Sequence, residues 1–160
     1  MKSYIKINGI DGESTEKGHE KWIEITEFHH GVQLDGFSSS AGRAGHFAGT
    51  ASTREFVVSK KLDAASPNLN LWCAQAKAIP DVTLHVLSMK GGDTHVDYEI
   101  KLTDAIVSSV SIAGTGDKDP IPSETLAFRF AKISWEYKPR DKKQGAGGSM
   151  KAQFDFGVNK

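Results

Sequence analysis

The side chains best able to do chemistry sit in HVDYEIKL (95–102), where His95, Asp97 and Glu99 alternate with Val96, Tyr98 and Ile100. A strand projects alternate side chains to one face, so the three polar groups would share a face, and His85 on the preceding strand-like run can join them. Imidazole with carboxylates is a donor set for zinc or a harder divalent cation. On that reading the chain is a metal-dependent or ligand-binding β-barrel protein using His85, His95, Asp97 and Glu99. Against it, alternating polar residues are what the wet face of any half-buried strand carries. Nothing in the sequence supplies the outer hydrogen bonds that orient a metal-bound histidine.

Other chemistry is thinner still. Ser14 and Lys17 have the spacing of a serine/lysine nucleophile pair but lie in a polar segment without a helical pattern. His29 and His30 are neighbours, so on a strand they face opposite ways and cannot chelate together; a strand end suits them. GTGDKD (114–119) has two of the glycines of a dinucleotide fingerprint and opens no helix; neither a phosphate loop nor a Gly-x-Ser-x-Gly elbow occurs. Cys73 is the single cysteine, which excludes an intramolecular disulfide and a thiolate zinc site and suits a reducing compartment. The expectation is a protein without catalysis, cofactor or metal.

The elements that must position these residues are mostly strands. Period two dominates: Val96, Tyr98, Ile100 and Leu102 alternate with polar residues, as do Met150, Ala152, Phe154, Phe156 and Val158, with weaker runs near 4–7, 22–28, 31–34, 54–59, 82–89 and 105–112. About eight to ten strands in a sandwich or barrel follow, within one domain spanning 1–160. One helix interrupts them over residues 66–79, capped by Ser66, with Pro67 in its first turn and Pro80 as its stop. Its apolar stripe is Leu69, Trp72, Cys73, Ala76 and Ile79, while Leu71, Ala74 and Ala78 fall outside.

The 160 residues carry 20 basic and 20 acidic side chains. Without a net field to draw in polyanions, neither nucleic acid nor membrane insertion is expected, and near-zero charge is compatible with self-association. The N-terminus has no apolar run of signal-peptide length, and no segment reaches the roughly 20 apolar residues of a membrane span. Residues 35–52 form an extended Gly/Ser/Ala-rich loop that carries Phe37, Arg43, His46 and Phe47, longer than an ordinary connection. Residues 138–149 read as a solvated basic loop.

One strand is irregular. In LAFRFAKISWEY (126–137), Leu126, Phe128 and Phe130 are even-numbered and Ile133, Trp135 and Tyr137 odd. A regular strand would send these sets to opposite faces, giving a subunit with apolar surface to spare; a β-bulge at Ala131-Lys132 would bring them onto one face. With no glycine at the junction, two-faced burial is the expectation, and Trp135 is expected to be buried in either case.

DGESTEKGHEKWIEI (11–25), SSSAGRAG with REF (38–56), LDAASPNL (62–69) and FAKISWEY (130–137) together resemble the haemolysin-coregulated protein (Hcp) family of bacterial type VI secretion. The resemblance implies a compact β-barrel of two sheets with one α-helix, assembled as a homohexameric ring. Rings would stack into an inner tube that is expelled with effector proteins in its lumen. It further implies sheath, spike and baseplate partners, and passage from the bacterial cytoplasm through that apparatus without a signal peptide. Ring stacking would then fall to Phe37, Arg43, His46, Phe47 and Arg54, and the core or ring interface to Phe128, Phe130 and Trp135.

Overall fold

A computed structural model describes residues 1–36, 49–90, 93–114, 116, 120–139 and 148–160. Ten strands and one helix occur among them: β1 Lys2–Ile7, β2 Ile23–Ile25, β3 Glu27–His29, β4 Val32–Asp35, β5 Thr50–Thr53, β6 Phe56–Lys61, α1 Ser66–Ala74, β7 Ile79–Lys90, β8 Asp93–Ala113, β9 Ser123–Tyr137 and β10 Met150–Asp155. Eight strands make one sheet in the order β2-β1-β7-β8-β9-β6-β3, with β10 also on β9; β4 and β5 form a separate two-stranded sheet. The ends of the large sheet, β2 and β3, are separated in sequence only by Thr26, whose N–H and hydroxyl both donate to the Ser59 carbonyl of β6 at 2.9 Å. The sheet therefore curls into a nearly closed barrel, as the mainly β, two-sheet, one-helix expectation had it.

Alternation fills the interior. Phe56 and Val58 of β6, Val82 and Leu84 of β7, and Ile5 and Ile7 of β1 are all essentially solvent-free and belong to one core cluster. Leu69 plugs α1 into that cluster, with Trp72 and Cys73 packed beside it, while Leu71, Ala74 and Ala78 face solvent.

The helix is shorter than the sequence spacing implied. Its last turn closes with Ala76 N–H donating to the Cys73 carbonyl and Lys77 N–H to the Trp72 carbonyl, with Ala76 at φ +48°. This is a Schellman-type ending with alanine where glycine is usual, which hid it. Ile79 and Pro80 therefore begin β7 instead of ending the helix. Ser66 does not cap through its side chain; its hydroxyl is drawn into a buried polar network.

The change of phase in β9 also differs from expectation. Leu126, Phe128 and Ile133 belong to the same buried cluster, and the His30 ring lies 5.8 Å from Phe130 and 6.2 Å from Trp135, so both sets meet one core and the two-faced reading fails. No register-changing bulge at Ala131-Lys132 does this. β8 slips phase at the same level, from Ile100 and Leu102 to Ala105 and Val107, with Asp104 at φ +53°. Because both strands slip, Thr103 still opposes Lys132 and Ala105 still opposes Phe130; the register shift lies further on, between Val107 and Ser109. Phe128 is fully buried, but Phe130 and Trp135 are only half-buried.

Candidate functional site

The metal reading is met only in pairs. His85 and Glu99 are cross-strand partners with Nε2 3.1 Å from Oε2, and His95 lies 3.9 Å from Asp97 while its Nε2 meets the Lys138 carbonyl at 3.0 Å. Glu99 also accepts from Lys138 Nζ at 2.9 Å. Burial would raise the Glu99 carboxyl, but Lys138 and His85 hold it below the usual carboxylate range. Among the described residues no three His, Cys, Asp or Glu side chains gather where they could hold an ion.

What the sequence did not reveal is the partner on the other ring nitrogen. His85 Nδ1 lies 2.8 Å from His19 Nε2, and the Trp22 ring packs on both imidazoles at centroid distances of 4.6 and 4.7 Å. Sixty-six positions separate the two histidines, and only the fold of the intervening chain joins them.

A second constellation is fully buried. Lys60 of β6 and Glu124 of β9 are ladder partners with no solvent exposure, Nζ lying 2.9 Å from Oε2. Nζ also meets Asp63 Oδ1 at 2.7 Å and Ser66 Oγ at 3.0 Å, and Ser66 donates to Glu124 at 2.8 Å. The network fastens the start of α1 to the barrel wall. Its signal was in the sequence: Lys60 is in phase with Phe56 and Val58, and Glu124 with Leu126 and Phe128.

The remaining feature is a ribbon. β4 and β5 pair from Val32 with Thr53 to Asp35 with Thr50, so the two ends of the long loop form an antiparallel hairpin. All four residues of β4 are exposed, including Val32 at 49% and Leu34 at 54%. Beside its base lies a cleft of about 950 Å³ lined by His29, His30, Arg54, Arg129 and Phe130 among others. Arg54 is exposed there. Phe37, Arg43, His46 and Phe47 lie outside the described residues. His29 closes β3 and binds Glu27 at 2.7 Å, whereas His30 turns inward against Phe56, Phe130 and Trp135, the opposed directions expected of neighbours at a strand end.

The family model described as "Type VI secretion system effector, Hcp" matches residues 4–137. The chain belongs to the Hcp family. Protein hcp1 of Pseudomonas aeruginosa is 32% identical over 159 residues, 98% of this chain and 95% of that protein. A solved structure of a type six secretion system protein superposes with a TM-score of 0.89 at 31% identity, covering 99% of this chain and 98% of that one. Hcp1 from Salmonella typhimurium gives 0.79 at 28% identity, covering 99% and 97%. The match spans the barrel, α1 and the exposed ribbon in one continuous Hcp fold. Among the described residues no helix is long and apolar enough to cross a membrane.

Proposed function

We propose that this Hcp chain is a structural tube subunit rather than an enzyme, one domain spanning 1–160. Copies close into a hexameric ring through two different surfaces of each subunit, so that no patch is left over. Rings stack into the inner tube of the type VI apparatus. The tube leaves the bacterial cytoplasm when the sheath contracts, without a signal peptide, carrying effectors in its lumen. Sheath, spike and baseplate proteins are its partners.

Beyond family membership, the observation that carries this reading is the β4–β5 ribbon. A two-stranded hairpin is marginal in water by itself, and this one holds Val32 and Leu34 out in solvent. A neighbouring ring is what would cover it, with Phe37, Arg43, His46, Phe47 and Arg54 as the contact residues. Single exposed ion pairs give about 0–1 kcal/mol, so one ribbon would hold weakly. Repetition around a ring makes such a contact firm. Deleting residues 42–49 is expected to leave rings intact in sedimentation while abolishing secretion; loss of the ring itself would refute the stacking assignment.

A further inference from the structure

The segment 11–22 crosses the outside of the barrel as a strap. It doubles back on itself, Gly12 N–H donating to the Lys21 carbonyl and Ser14 N–H to the Trp22 carbonyl. Glycine is required at position 12, because a Cβ there would be driven into the Trp22 carbonyl oxygen. The strap meets Tyr4 of β1 and His85 of β7, which begin a row in register across four strands that continues with Glu99 of β8 and Glu136 of β9. Two anchors hold the strap to the barrel. Glu16 accepts from Lys2 Nζ at 2.7 Å and from the Thr94 hydroxyl at 3.1 Å. His19, only 5% exposed, stacks on Tyr4 and hydrogen-bonds His85.

With both rings neutral, the protons along this chain follow from the contacts. The Glu99 carboxylate accepts from His85 Nε2–H, so His85 Nδ1 carries no proton and accepts from His19 Nε2–H. His19 Nδ1 is then bare, and it is buried without a hydrogen-bond partner among the described residues. A further proton is disfavoured. On His85 Nδ1 it would set two N–H groups head to head across 2.8 Å unless His19 shifted its own proton to Nδ1. Either way His19 Nδ1 gains a hydrogen in a site where burial works against the charge and the Lys17 backbone offsets it only in part.

We propose that the strap is an acid-released latch, closed while the His19–His85 pair is neutral and unseated from the Tyr4–His85 row when the pair takes up a proton. Burial depresses both imidazoles below the ordinary histidine value. The surrounding charges are mixed. Glu16 and Glu20 on the strap, the Lys17 backbone and Glu99 on β8 favour the charged ring, whereas Lys138 after β9 disfavours it at His85. Lys2 of β1 is paired with Glu16, and Glu136 of β9 is held by Lys138. A folded value below the unfolded one means that strap stability is complete above about pH 6.5 and declines as pH falls below it.

The latch is independent of the tube reading, since it concerns one subunit's own contacts. Hydrogen exchange on the purified protein at about pH 7.5 and about pH 5, corrected for intrinsic rates, tests it. Strap peptides should lose about tenfold or more of their protection at the lower pH while β8–β9 peptides keep theirs. In His19→Gln and His85→Gln the difference should shrink; in His30→Gln, which alters a half-buried histidine elsewhere, it should persist. Unchanged strap protection overturns the proposal, as does equal loss across β8–β9 or full pH dependence in both pair variants. Should a pair variant fail to fold, the ring-proton resonances of His19 and His85 in the parent decide: titration below free histidine, in step with strap opening, supports the latch, and titration above it overturns it.

Discussion

Lys60 and Glu124 face one another from adjacent strands with neither side chain touching solvent, their charged atoms 2.9 Å apart. Burying two charges costs several kcal/mol per ion unless further hydrogen bonds complete them, and here Asp63, Ser66 and the Lys61 carbonyl do so around Nζ. The pair sits where strand alternation calls for apolar side chains, and it ties α1 to the wall.

Removing one partner strands the other. Lys60→Met should destabilise the subunit by about 3–5 kcal/mol in urea unfolding, because Glu124 is left charged and buried. Lys60→Met with Glu124→Leu should recover much of that loss. A double variant worse than the single one would contradict this account of the network.

His30 gives a pH dependence of known sign. Its ring is packed among Phe56, Phe130 and Trp135, both nitrogens lack a partner among the described residues, and burial holds its pKa below the ordinary histidine value. The folded form favours the neutral ring, so its contribution is intact above about pH 6.5 and is lost as pH falls below that. His30→Phe should lose less stability than the parent between about pH 7.5 and about pH 5 in thermal unfolding. Identical losses would show that His30 is not a source of acid sensitivity.

Much of the barrel was legible because period two is a direct consequence of strand geometry. Tyr98 to Leu102, Phe154 and the β6 alternation fall where the pattern puts them, whereas Val96 lies past a register shift, pairs with Leu87 and is outside the core cluster. The pattern failed where two irregularities cancel. Asp104 at positive φ lets β8 slip in step with β9, so a phase change that looked like spare apolar surface instead turns both strands around one core. The helix end was missed because alanine, not glycine, takes the left-handed position at 76. At the candidate site, β4 falls in a strand-like run, whereas most of β5 (Thr50–Thr53) lies inside what the Gly/Ser/Ala-rich composition reads as loop; the His29–His30 divergence follows from alternation. The His19–His85 contact does not follow from any local pattern, since it exists only after the strap folds across β7.

The central claim is that copies of this chain cover one another's exposed surface. Mass in solution tests it most directly, by light scattering or sedimentation across a range of concentrations. Closed rings predict a species near six times the 17.4 kDa chain, about 104 kDa, persisting on dilution. A 17.4 kDa particle at every concentration would contradict the tube reading.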